Sequence, residues 1–114
     1  MSTHHAIDYV EITVDDVAES KAFYAAAFGW TFNDYGPDYA GIVGRDGEVG
    51  GLAKGEGHGG SPLVILYSDD LEATLNGVRT LGANITRAPY TFPGGRRFHF
   101  QDPSGNELAV WASA

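Results

Sequence analysis

Val10, Ile12 and Val14 alternate with Tyr9, Glu11 and Thr13 near the start of the chain. A period of two is the mark of a strand with one buried face. The run Leu63-Val-Ile-Leu-Tyr67 opens a second stretch of this kind, with Val64 and Leu66 repeating the buried face. Each stretch leads into an aspartate pair, Asp15-Asp16 and Asp69-Asp70, and then into helix-forming sequence. Asp16 with Glu19, and Asp69 with Glu72, have the spacing of capping boxes, in which a side-chain oxygen takes an otherwise unpaired backbone N–H. Leu71, Leu75, Val78 and Leu81 make one apolar stripe on the second predicted helix, and Val17, Tyr24 and Phe28 do similar work on the first. Gly29 and Gly82 stand where a left-handed residue ends each helix.

The two stretches are copies of one unit. Laying the first on the second puts Asp15-Asp16 on Asp69-Asp70 and Val17 on Leu71; one deleted residue then brings Gly29 onto Gly82. Three short strand-like runs follow each helix, at 30–35, 38–44 and 48–53 and again at 83–88, 96–101 and 106–111. Turn sequences separate them, among them Arg45-Asp46-Gly47, Pro93-Gly94-Gly95 and Asp102-Pro-Ser-Gly105. The expectation is an α+β fold of two tandem β-α-β-β-β modules, 6–54 and 62–112, within a single domain 1–114. A Gly-rich linker at 55–61 joins them, and together they enclose one small-molecule cleft.

Several local sequences carry a family resemblance. They are Tyr9-Val-Glu-Ile, the helix start Asp-Asp-Val-Ala-Glu-Ser-Lys-Ala-Phe-Tyr24, Phe28-Gly29-Trp30, and the closing Phe100-Gln-Asp-Pro-Ser-Gly-Asn106 followed by Val110-Trp111. In their order and spacing the chain resembles the vicinal oxygen chelate superfamily, the glyoxalase, bleomycin resistance and dihydroxybiphenyl dioxygenase group. The resemblance implies a curved, barrel-like mixed sheet around a cleft, often in a homodimer. Enzymes of that group hold a divalent metal through up to four ligands, one near the start and one near the end of each module. Those positions fall here on Tyr9, on Gly50-Gly51, on Leu63 and on Ala109. Leucine, glycine and alanine side chains cannot ligate, and a hard cation needs several converging oxygen or nitrogen donors. No cofactor is therefore expected, a divalent metal on atypical ligands being the alternative.

Charge and composition narrow the classes further. Fifteen acidic residues against seven basic ones give a net charge of -8, which disfavours nucleic acid and anionic membrane partners. With no cysteine, thiolate metal sites, disulfides and cysteine nucleophiles are excluded. No secretory signal pattern and no bilayer-length apolar run stand in the sequence, so a cytoplasmic location is the default expectation.

Strand parity then names the cleft. If Tyr9 points in, so do Glu11 and Thr13; Leu63, Ile65 and Tyr67 follow in the second copy, with Arg97, His99 and Gln101 opposite the core residues Phe98 and Phe100, and Ala109 and Trp111 on the last strand. Tyr9, Leu63, Tyr67, Arg97 and Trp111 are the candidate ligand-binding residues. Glu11 and His99 are the candidate acid–base pair, since a carboxylate beside an imidazole can move a proton on a bound ligand. The alternative is a closed polar network of Glu11 with Arg97 or His99 and no chemistry. Arg96-Arg97 reads as one solvated cation and one internal partner of an acid, or as a grip on an anionic ligand. His4 and His5 are expected in a frayed terminus, His58 in the linker, and Tyr90 and Phe92 in a mobile lip ahead of Pro93. Two functions remain: a metal-independent protein that binds or sequesters a small aromatic or amphipathic compound, and a lyase or isomerase of glyoxalase type using Glu11 and His99 as acid and base or an atypical metal site.

Overall fold

The computed structural model describes residues 2–55 and 61–113. Among these, eight strands and two helices run in the order strand, helix, three strands, twice over. The first set is β1 (Ile7–Val14), α1 (Val17–Phe28), β2 (Phe32–Asp34), β3 (Tyr39–Gly44) and β4 (Gly47–Lys54). The second is β5 (Leu63–Tyr67), α2 (Leu71–Thr80), β6 (Asn84–Phe92), β7 (Gly95–Gln101) and β8 (Glu107–Ser113). The α+β class and the doubled order expected from the sequence are both present. By its contacts the chain divides into two units, one Tyr9–Pro62 and the other Leu63–Ala114 together with Met1–Asp8. The linker at 55–61, with His58, lies outside the described residues apart from Gly55 and Ser61.

In the unit Tyr9–Pro62 the strand order is β2-β3-β4-β1, with β1 parallel to β4 and the other pairs antiparallel. One face carries the core: Val14, Val17, Ala40, Ile42 and Leu52, with Ile12, Tyr24, Trp30 and Phe32 packed on it. Removing a leucine-sized side chain from water stabilises a fold by about 1.5–3 kcal/mol, and Leu52 is wholly buried. Asp16 caps α1, its Oδ1 accepting the Glu19 N–H at 3.0 Å. Gly29 ends the helix at φ 73°, a conformation glycine adopts without a Cβ clash. Phe28 does not join the stripe expected of it and is 65% exposed. The turn at Gly29 brings Trp30 back onto Tyr24, the rings stacking at 4.6 Å, so the indole fills the place that helical periodicity assigned to Phe28.

The other unit has the order β5-β8-β7-β6, with β5 parallel to β8 and the rest antiparallel. Leu71 and Leu75 of α2 pack on Phe98, Val110 and Ala112, with Leu66, Val78, Ile85 and Phe100 around them. The capping residue here is Asp70, whose Oδ1 accepts the Ala73 N–H at 3.1 Å. The box expected from Asp69 and Glu72 is thus corrected: the second aspartate of each pair caps its helix, and Glu72 instead pairs with Arg96 at 3.0 Å. Leu81, also expected in the apolar stripe, is 87% exposed. The helix stops at Thr80, and Gly82 at φ 87° turns the chain away. Bonds from Gly82 N to Arg79 O and from Ala83 N to Val78 O close the end as a Schellman turn.

Two further expectations change. The start of the chain is tied down by Tyr67, whose backbone O and N bond His5 and Ala6 at 2.7 and 3.1 Å. His4 Nδ1 accepts the Asp69 N–H, His5 Nε2 meets Thr74 Oγ1, and the two imidazoles stack at 3.8 Å. Tyr90 and Phe92 form no separate lip, because β6 runs through Pro89 to Phe92 and pairs Tyr90 with Arg97 and Phe92 with Gly95. Two register shifts in β6 let it absorb a proline that cannot donate to the ladder.

Candidate functional site

In the unit containing β5 to β8, alternation sends Leu66, Phe98 and Val110 under α2. Their neighbours point to the opposite face. There the register lines up Ile65, Ala109 and His99 in one row, and Tyr67, Trp111 and Arg97 in the next. The first row is buried and the second half-buried. Tyr67 and Phe92 each meet Trp111 edge-on, with centroids 5.1 and 6.1 Å away, and the indole N–H donates to Asp8 Oδ2 at 2.9 Å. The indole is fixed from both sides, with its polar edge used and its faces apolar.

A polar chain runs beside these rings. His99 is 5% exposed. Its Nδ1 lies 2.8 Å from Glu107 Oε2 and its Nε2 lies 2.9 Å from Tyr90 Oη. Arg97 Nε also donates to Tyr90 Oη. Donor chemistry sets the direction. A carboxylate only accepts, so Nδ1 carries the proton; a guanidinium only donates, so Tyr90 accepts from Arg97 and passes its own proton toward Nε2. Burial lowers the His99 pKa below its ordinary value, with Arg97 and Arg87 acting the same way and Glu107 opposing them, so the ring is held neutral. Arg87 stands over the Tyr90 ring, 4.0 Å from its centroid. The sequence points to His99 and Arg97 here, offers Tyr90 only as part of a lip, and does not single out Glu107. Glu107 shares strand parity with Ala109 and Trp111, a signal that was present in the sequence. Tyr90 was hidden by Pro89, which argues against a continuing strand.

In the unit Tyr9–Pro62 the face away from α1 has a different character. The register sets Glu11, Gly51, Gly41 and Asn33 in one row across four strands. The two glycines leave a floor without side chains, and neighbours occupy it. A Cβ on Gly51 would lie 2.0 Å from Tyr39 Oη, and one on Gly41 would lie 2.3 Å from the Glu48 carboxyl carbon. Tyr39 donates to Glu11 Oε2 at 3.1 Å and shares a 2.8 Å bond with Tyr9 Oη. Asn33 and Tyr35 both donate to Glu48 Oε2. Tyr9 reaches Glu48 Oε1 at 3.4 Å. Burial pushes the Tyr9 pKa up to about 12, with Glu48 and Glu11 adding to it, and raises Tyr39 likewise, so both phenols keep their protons. Glu48 and Tyr39 were not among the predicted site residues. Their partners lie 13 to 39 residues away in sequence and outside their own strands, a separation that no local pattern spans.

The structure places Glu11 and His99 in different units, each with its own partners. Tyr67, Arg97 and Trp111 come together on one face, and Leu63 is buried on β5 beside them. Gln101 takes a hydrogen bond from Asn84 at 3.1 Å. The positions at which the resemblance implies metal ligands offer one oxygen, the Tyr9 hydroxyl, and Tyr39 and Glu48 already engage it. Among the described residues no three His, Asp or Glu side chains gather into a metal-binding group. Nor is any helix among them long and apolar enough to cross a membrane.

A family model described as the Glyoxalase/Bleomycin resistance protein/Dioxygenase superfamily matches residues 6–110. The chain belongs to this superfamily. Among curated relatives, the anthracycline biosynthesis protein DnrV of Streptomyces peucetius is 32% identical over 117 residues, covering 84% of this chain and 42% of that protein. DauV of Streptomyces sp. strain C5, another anthracycline biosynthesis protein, matches to the same extent. The chain thus spans less than half the length of these relatives. Among solved structures, the Mn(II)-bound glyoxalase of Novosphingobium aromaticivorans superposes with a TM-score of 0.71 at 25% identity, over 98% of this chain and 40% of that one. The methylmalonyl-CoA epimerase of Streptomyces coelicolor superposes at 0.72 with 17% identity, over 98% and 99%. At that identity the epimerase shows the shared fold alone.

Proposed function

We propose that this superfamily member binds a small aromatic compound on the face of β5, β7 and β8 away from α2, without a resident metal ion. The observation that carries the reading is the set of three rings, Tyr67, Phe92 and Trp111, beside the chain Arg97–Tyr90–His99–Glu107. Aromatic walls with a few convergent polar atoms are what a site for a small planar molecule needs. Two relatives named for anthracycline biosynthesis support the same ligand class, a fused aromatic compound of anthracycline type. The acidic balance of the chain favours ligands that carry a positive charge. The donor-poor metal positions, Tyr9, Gly50-Gly51, Leu63 and Ala109, support the metal-free part of the proposal. We also propose a cytoplasmic homodimer as the working form, which light scattering after gel filtration tests directly.

Titration with an anthracycline tests the binding reading. Tryptophan emission falls on binding, and Trp111→Phe removes most of that change while Trp30→Phe keeps it. No change in emission and no heat of binding across a panel of fused aromatic compounds would sink the proposal.

A second reading has one observation in its favour. The ordered chain around His99 is built as a proton relay would be, which supports a lyase or isomerase of glyoxalase type whose proton passes along that chain.

A further inference from the structure

Both nitrogens of His99 are engaged, Nδ1 by Glu107 and Nε2 by Tyr90. An imidazole satisfied in this way offers no nitrogen to a ligand. The atom of the chain through which a proton can pass onward is Tyr90 Oη, on a half-buried ring. Its oxygen accepts from Arg97 and its proton points at Nε2. Arg87 stands over the ring, and a second guanidinium, Arg97, sits at the oxygen. An anionic oxygen placed beside Tyr90 is therefore favoured electrostatically.

We propose that Tyr90 is the residue that exchanges a proton with the ligand, with His99 and Glu107 as its positioning pair, and that the ligand carries an ionisable hydroxyl, a phenol or an enol. The inference rests on the binding reading above and names the ligand chemistry of that site. In the step, the ligand hydroxyl gives its proton to Tyr90 Oη while the proton of Tyr90 moves to His99 Nε2. The ligand is left as phenolate or enolate beside Arg97. The imidazolium formed lies between Glu107 and the new anionic ligand oxygen, whose charges together offset the burial that keeps the resting ring neutral, and reversal of both transfers restores the start. No electron changes hands and no co-reactant is consumed. The charged and titratable groups facing Tyr90 are Arg87 on its own strand and Arg97 and His99 on β7; Glu107 on β8 faces it through His99.

The probe is a hydroxyanthraquinone whose visible absorbance separates phenol from phenolate. Bound to the native chain, it should ionise about one pH unit or more below its free value, about tenfold in the ionisation equilibrium. Tyr90→Phe, measured at probe concentrations that saturate it, should lose that shift. Glu107→Gln should reduce it, and Glu107→Asp should restore part of it. The spectrum of 15N-labelled histidine supplies a readout that needs no ligand, and His99 should show the tautomer protonated at Nδ1. A probe that binds with unshifted ionisation, a shift that survives in Tyr90→Phe, or a His99 protonated at Nε2 overturns this inference and leaves the binding reading standing. A probe that does not bind overturns both.

Discussion

His99 and Glu107 lie eight residues apart on adjacent antiparallel strands, and a 2.8 Å bond joins the buried imidazole to the carboxylate. Because burial outweighs the carboxylate, the folded state holds His99 below its ordinary pKa. In the unfolded chain the ring titrates near its reference value of about 6.5.

The sign of the pH effect follows. As pH falls below about 6.5 the unfolded chain takes up a proton that the native ring resists, so this residue costs stability on the acid side and nothing above that pH. Urea midpoints at pH 7.5 and 5.5 should differ in the native chain, and His99→Gln should flatten that part of the difference. An unchanged pH slope in the variant would show that His99 is not its source.

Three strand glycines predict a ranking. A Cβ on Gly50 would stand 2.2 Å from the Val10 carbonyl oxygen, which the parallel pairing of β1 and β4 holds in place. At Gly51 the obstacle is the Tyr39 ring, pinned by two hydrogen bonds, and at Gly41 it is the movable end of Glu48. Alanine substitutions should destabilise in the order Gly50, Gly51, Gly41, the first two by about 1–3 kcal/mol or more. Denaturant unfolding of the three variants measures the order, and Gly41 as the worst site would refute the packing argument.

The caps distinguish the two aspartates of each pair. Asp16→Ala and Asp70→Ala should each cost about 0.5–2 kcal/mol, since each leaves a helix N–H unpaired. Asp69, whose exposed carboxylate lies 3.7 Å from His4, should cost about 0.5 kcal/mol or less when changed to alanine. Equal losses at Asp69 and Asp70 would restore the capping box read from the sequence.

Packing on α2 gives a sharper contrast. Phe98 is wholly buried and Leu81 is 87% exposed. Phe98→Ala should lose about 3–5 kcal/mol, while Leu81→Ala stays within about 0.5 kcal/mol. Thermal unfolding of both variants decides it.

Metal addition tests the cofactor proposal. Mn, Ni, Zn and Mg ions should leave the unfolding midpoint of purified protein unchanged, and elemental analysis should find no stoichiometric metal. A shift of several degrees, or one bound ion per chain, would return a metalloenzyme to first place, because a ligand that binds only the native state must raise its stability.

The sequence carried whatever depends on neighbours a few residues apart. The doubled β-α-β-β-β order, the aspartate caps, the glycine helix ends and the alternating faces of β5, β7 and β8 follow from periods of two and 3.6 and from the geometry of a turn. Parity alone placed Tyr67, Arg97, His99 and Trp111 on one side, and the register of the strands keeps them there. The same local logic failed at helix ends, where Gly29 and Gly82 redirect the chain and leave Phe28 and Leu81 outside.

Only the tertiary structure decided which polar groups meet. Tyr90 reaches His99 on a β6 that shifts register twice, the second time around a proline, and Tyr39 reaches Glu11 across β4 over a glycine that has no side chain to block it. Such partners are set by strand pairing between distant segments, which depends on how whole faces pack and on the entropy of closing long loops. A strand's own alternation says which side a residue faces; the residue it meets there is fixed by the neighbouring strand.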